Sequence, residues 1–125
     1  MKKEYIDIVD FPAEDYQPLI DYESWRVAVL RYCENVKREN IKTMQKHEFT
    51  DEVFVLLDGN CTLLCGGNGL CPREIEELPM EPMRAYNVKK GTWHNHTLDE
   101  KGAVLIIENR NTCDDNSPIL PIKGS

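Results

Sequence analysis

His47, His94 and His96 are all the imidazoles in this 125-residue chain. His47 opens the run HEFTDEVFVLLDG, in which Glu52 follows after four intervening residues and Gly59 after six more. Imidazole and carboxylate are ligands for divalent transition metals. A histidine pair with one carboxylate, leaving positions open, is the facial arrangement of iron oxygenases and several other metal enzymes. Four residues, Glu48 to Asp51, make a loop of common hairpin length, so His47 is expected to close one strand and Glu52 to open its neighbour. Facing cross-strand positions have Cβ atoms about 5 Å apart, near enough for both side chains to reach one ion. Strand alternation puts Gln45 on the face of His47 and sets His94 and His96, two apart in KKGTWHNHTLDE, on a common face.

Such a site needs strands to hold it, and strand signals dominate the chain. Tyr5 to Phe11, Trp25 to Tyr32, Ile41 to His47, Glu52 to Leu57 and Cys61 to Cys65 read as strands. Arg84 to Val88, Trp93 to Leu98 and Ala103 to Glu108 follow. Asp58-Gly59 predicts a tight turn returning into Cys61 to Cys65. Lys90-Gly91 and Asp99-Glu100-Lys101-Gly102 punctuate the later strands. Helix signals are few: Pro72 to Leu78 (PREIEEL) predicts a helical turn with proline first, and Cys33 to Asn40 a polar connection with a single turn. The pattern predicts an all-β sandwich or barrel. The expected layout is one domain over 1–125, with an N-terminal strand or arm at about 1–24, a barrel at about 25–110 and an irregular arm over 111–125.

Composition narrows the partners. A net charge of -7 disfavours nucleic acid and anionic membrane, which need clustered Lys and Arg. No apolar run approaches membrane-spanning length. The start, MKKEYIDIVD, has no apolar stretch after its lysines and is not read as a secretory leader, so a cytoplasmic protein is expected. Five cysteines, an odd number, fit reduced thiols there. Cys61, Cys65 and Cys71 are spaced C-x3-C-x5-C, without the paired C-x2-C arms of ribbon-type zinc sites.

The two histidine-bearing stretches resemble the motif pair of the cupin superfamily. Its first motif is usually G-x5-H-x-H-x3,4-E-x6-G, against Gln45-Lys46-His47, four residues, Glu52, six residues and Gly59 here. Its second is usually G-x5-P-x-G-x2-H-x3-N, against Lys89-Lys90-Gly91-Thr92-Trp93-His94. The order and separation are those of a small single-domain cupin. Gln45 replaces the first metal histidine, Lys89 the proline, Leu98 the final asparagine, and Asn40 stands near the missing opening glycine. The resemblance implies a double-stranded β-helix, or jelly-roll barrel, with little helix. It implies that His47, Glu52 and His94 are metal ligands, with Gln45 as a weaker oxygen ligand or a group behind them. His96 matches no motif ligand and becomes a candidate for the substrate cavity, with Tyr86, Arg84 and Trp93. Fe, Mn, Ni, Co and Zn all suit such ligands.

The competing reading is an acidic surface hairpin and two structural histidines, which leaves the second motif unexplained. For function, a metal-dependent enzyme on a small polar metabolite, a sugar acid or carboxylate, stands beside a non-catalytic small-molecule sensor with optional or no metal. Oxygenase, isomerase and lyase chemistry all occur on this fold, which does not choose among them. The resemblance also implies a homodimer, to which Tyr5 to Ile20 contributes.

Overall fold

The computed structural model describes residues 5–122. Ten strands form two antiparallel five-stranded sheets. In chain order the strands are β1 (Tyr16–Tyr22), β2 (Trp25–Arg31), β3 (Thr43–Gln45), β4 (Glu52–Asp58), β5 (Cys61–Cys65), β6 (Glu76–Pro79), β7 (Ala85–Val88), β8 (His94–Leu98), β9 (Ala103–Asn109) and β10 (Ile119–Pro121). One sheet runs β1-β2-β9-β4-β7 and the other β10-β3-β8-β5-β6. The regular helical structure among the described residues is three single 3-10 turns, two of them within the predicted Cys33 to Asn40 connection. This is the expected jelly roll.

Alternation decides which side chains fill the space between the sheets. Ala28 and Leu30 of β2, Phe54 and Leu56 of β4, and Val104 and Ile106 of β9 meet Cys61 and Leu63 of β5 and Leu98 of β8 in one buried cluster. A second, smaller core of Ile41, Met44, Leu64, Trp93 and Ile122 uses the alternate residues of β3 and β5. It therefore lies on the other face of the second sheet.

Several expectations are corrected. His47 and Glu52 do not face each other in a hairpin: β3 and β4 belong to different sheets, and the loop between them crosses from one to the other. Asp58-Gly59 likewise turns the chain from β4 into the opposite sheet. A tight turn has the same local chemistry whether it reverses a strand or rounds a corner. PREIEEL forms no helix, because Glu76–Pro79 pairs with Thr62–Cys65 of β5 instead. Tyr5 to Phe11 carries no strand; the first strand is β1, paired with β2. The C-terminal arm is not wholly irregular, since β10 pairs with β3, Ile119 opposite Gln45. The outermost parts of both expected arms, 1–4 and 123–125, lie outside the described residues.

Candidate metal centre and its cavity

Three elements deliver the candidate ligands. His47 sits just beyond β3, Glu52 is the first residue of β4, and His94 is the first of β8. Gln45 of β3 is the direct cross-strand partner of His94. The loop carrying His47 is tied down on both sides. Gly91, at φ +78°, a conformation that favours glycine, donates its N–H to the His47 carbonyl at 2.8 Å. Asp51 accepts from the Lys90 N–H at 2.8 Å and from Asn87 Nδ2 at 3.1 Å. The stretch Lys89-Lys90-Gly91 is thereby fastened to the stretch His47 to Glu52, which is why residues over forty apart in sequence share one site.

His47 Nε2 lies 3.2 Å, and His94 Nε2 2.9 Å, from the same Glu52 Oε1. All three residues are buried, and their ligand atoms lie within 4.8 Å of one another. The imidazole rings are edge to face, centroids 5.2 Å apart. Burial alone pushes the Glu52 carboxyl up. Hydrogen bonding to His47 and His94 overcomes it and holds the group well below the usual carboxylate range.

The donor set fits a metal ion on a hydrogen-bond argument. His94 Nδ1 lies 2.9 Å from the Thr92 carbonyl oxygen. A carbonyl only accepts, so Nδ1 carries a hydrogen, and the Nε2 lone pair then faces a carboxylate oxygen. That approach is favourable only with positive charge at Nε2, as a second proton or a metal ion.

These groups form one end of a cavity of about 470 Å³. Its apolar wall includes Leu30, Phe54 and Ile106. His96 also lines it, its ring 6.0 Å from that of Phe54, and burial pushes its imidazole down to about 4. Gln45 lines it too, with Nε2 donating to the Ser117 carbonyl at 3.1 Å. The remaining cavity candidates lie elsewhere. Trp93 belongs to the outer core, where its indole N–H donates to the Gly69 carbonyl at 2.9 Å; as His94's chain neighbour it points to the opposite face of the strand. Tyr86 packs at the edge of the inner core, its hydroxyl accepting from the Glu81 N–H at 2.9 Å. Arg84 is exposed and pairs with Glu81 at 3.0 Å.

The cavity also holds residues that sequence reading passed over. Glu108 of β9 is buried and accepts from the Tyr16 hydroxyl at 2.7 Å. Burial, then the neighbouring Glu52, push its carboxyl up to about 7, against the hydrogen bond from Tyr16. A signal existed: Val104, Ile106 and Glu108 share one period-2 face, so a carboxylate continues an inward apolar row. Arg26, the one lysine or arginine lining the cavity among the described residues, is paired with Asp21 at 2.8 Å. Ser117 sits behind His47, Oγ 2.7 Å from Nδ1. It had no local signal.

No protein-family model matches the sequence, and no curated protein does. Solved structures do match. A cupin-2 domain protein from Shewanella frigidimarina is 17% identical with a TM-score of 0.56, over 77% of this chain and 80% of that one. The sugar 3,4-ketoisomerase QdtA from Thermoanaerobacterium thermosaccharolyticum, solved with TDP, is 13% identical with a TM-score of 0.59, over 74% of this chain and 64% of that one. KdgF from a Halomonas species is 14% identical with a TM-score of 0.56, over 80% of each. At such identities the likeness speaks for architecture. Two five-stranded sheets in jelly-roll order, joined by corner-turning loops and matched by these structures, make this chain a protein of the cupin fold.

Proposed function

We propose that this chain is a metal-dependent enzyme of the cupin fold that acts on a small polar metabolite, a sugar acid or another carboxylate, in the cavity between its sheets. The observation that carries this reading is the convergence of His47 Nε2, His94 Nε2 and Glu52 Oε1 in a buried pocket. These three residues would hold Fe, Mn, Ni, Co or Zn, each of which accepts imidazole and carboxylate ligands. Gln45, its Nε2 engaged by Ser117, has Oε1 left as a further oxygen donor toward ion or substrate. A bound ion would supply Lewis-acid polarisation of a substrate oxygen.

The chain's own residues do the rest. His96, Tyr16 and Glu108 present polar edges to the ligand, while Leu30, Phe54 and Ile106 exclude water from one wall. Because Arg26 is already paired with Asp21, an anionic substrate group depends on the ion for its counter-charge. The solved neighbour with TDP supports a small-molecule ligand. Five free cysteines and an acidic balance support a cytoplasmic protein without a nucleic-acid or membrane partner. Among the described residues no helix is long and apolar enough to cross a membrane. We also propose one domain and a homodimer.

The test is metal analysis of protein purified without chelators, with the Glu52→Ala variant beside it. Near-stoichiometric transition metal in the wild type and at least roughly tenfold less in the variant is expected. Equal metal in both sinks the proposed ligand set. One observation favours the non-catalytic alternative: Gln45 occupies a ligand position and spends its amide nitrogen on Ser117. Metabolite stabilisation that is unchanged when metal is removed would support a sensor instead.

A further inference from the structure

We propose that the segment following β9 is part of the metal centre. In it Ser117, set by Asn116, is a positioning residue that keeps a hydrogen on His47 Nδ1 and so directs the Nε2 lone pair at the ion. The inference rests on the metal-centre reading above.

The argument is a count of hydrogens. Ser117 is 2% exposed, and its Oγ has two polar neighbours, His47 Nδ1 at 2.7 Å and Asn116 Oδ1 at 3.0 Å. A hydroxyl has one hydrogen to give, and Asn116 decides where it goes. The Asn116 amide is oriented by two backbone groups: Nδ2 donates to the Asn111 carbonyl at 2.8 Å, and Oδ1 accepts from the Cys113 N–H at 3.1 Å. Flipping it would turn both contacts repulsive. Oδ1 therefore faces Ser117 and has no hydrogen, so the hydroxyl must donate there. Toward His47 the serine oxygen has only lone pairs left, and Nδ1 must be the donor.

His94 reaches the same state through the Thr92 carbonyl. With Nδ1 held as the donor in both rings, Nε2 is the atom each histidine offers to an incoming ion, which takes the place of any second proton held there against Glu52. The segment is held in register on either side of His47. The Lys46 N–H donates to the Pro118 carbonyl at 3.2 Å, and the Glu48 N–H to the Asn116 carbonyl at 3.0 Å. The Ser117 carbonyl also takes the Gln45 amide hydrogen at 3.1 Å. One residue thus orients both Gln45 and His47.

The experiment joins two measurements on the full chain. In metal-free, ¹⁵N-labelled protein, long-range imidazole NMR spectra report which His47 nitrogen carries hydrogen. Separately, Co(II) and Zn(II) affinities are measured for wild type, Ser117→Ala and Ser117→Thr. Wild-type His47 should be protonated at Nδ1, and Ser117→Ala should shift it toward the Nε2–H form. The alanine variant should bind both ions about tenfold to a hundredfold more weakly, the usual cost of losing a partner behind a metal histidine. Ser117→Thr, which keeps the hydroxyl, should recover most of the loss, as a purely structural lesion would not.

A wild-type His47 hydrogen on Nε2 alone overturns the proposal, as does Ser117→Ala binding both ions with wild-type affinity. If the alanine variant does not fold, the wild-type tautomer and the threonine variant still decide. Wild-type protein that takes up neither ion overturns the metal-centre reading itself, an outcome distinct from tight binding with the wrong tautomer.

Discussion

His96 and Glu108 face the same cavity, and burial moves their protonation in opposite senses. The His96 imidazole is pushed down to about 4 from an ordinary 6.5, by burial first and then by His94, against the pull of Glu52. Its folded value is depressed, so its contribution to stability is present above pH 6.5 and is lost as pH falls toward 4. The Glu108 carboxyl, at about 7 against an ordinary 4.5, is raised. Its contribution is complete below pH 4.5 and disappears as pH rises through 7. In metal-free protein the two slopes oppose each other between pH 4.5 and 6.5, and stability there should be nearly flat. Each single variant should uncover the other group. Urea unfolding of His96→Gln should show stability falling by roughly 2 kcal/mol between pH 4.5 and 7, and Glu108→Gln a comparable fall as pH drops from 6.5 to 4. Parallel profiles for the two variants would mean that the cavity is too wet to perturb either group.

At the scale of elements, the corners hold the molecule together, and the Gly59 corner tests this directly. Gly59 has φ +70°, and a Cβ there would stand 2.7 Å from Gly102 Cα and 2.8 Å from Gly102 N, besides meeting Asp99 Oδ1. Backbone cannot swing aside as a side chain can. Gly67 has a similar φ of +75° with nothing within 4 Å of the same position. Chemical denaturation should therefore cost Gly59→Ala about 2–4 kcal/mol and Gly67→Ala only about 1 kcal/mol, the left-handed penalty alone. Equal losses would show that the Gly102 backbone yields. The same corner shows what the sequence could convey. Asp58-Gly59 announced a turn and Cys61 to Cys65 a strand, and both exist. Nothing local distinguishes a hairpin from a passage between sheets, so the loop from His47 to Glu52 carries the signals of a hairpin too. The cluster of His47, Glu52 and His94 is legible through its motif spacing, although the passage between sheets that brings it together is not. β6 was hidden behind a proline-led acidic run, because its strand state comes from pairing with β5 rather than from its own residues. Ser117 was beyond reach for a related reason: its hydrogen bond to His47 spans 70 residues and depends on Asn116 being oriented by two backbone groups.

At the scale of the whole molecule, the apolar surface is unevenly spread. Tyr5, Ile6, Ile8, Val9 and Phe11 of the N-terminal segment are all exposed, as are Tyr22 and Trp25 on β1 and β2 and Ile107 on β9. Trp25 and Ile107 belong to the outward row of the first sheet, since Ala28, Leu30, Val104 and Ile106 fill the inward rows. Val27 lies directly opposite Ile107 on the neighbouring strand and extends that row. The first sheet's outward row is covered in part, since Val29 on it is fully buried, and on the second sheet's outer face Met44, Leu64 and Trp93 are covered by the chain itself. An apolar sheet face beside an apolar arm is the composition of a permanent interface, and stable interfaces bury on the order of 1,600 Å² in total. The proposed homodimer would place this face of one copy against the same face of another, with the arms lying across the seam. Sedimentation at micromolar concentration should give twice the chain mass. Ile107→Glu, which sets a charge in the outward row without touching the cavity wall, should shift the protein to monomer while leaving its circular dichroism unchanged. Wild-type chain that sediments as a monomer throughout that range would mean the arm and the sheet face serve something other than a second copy.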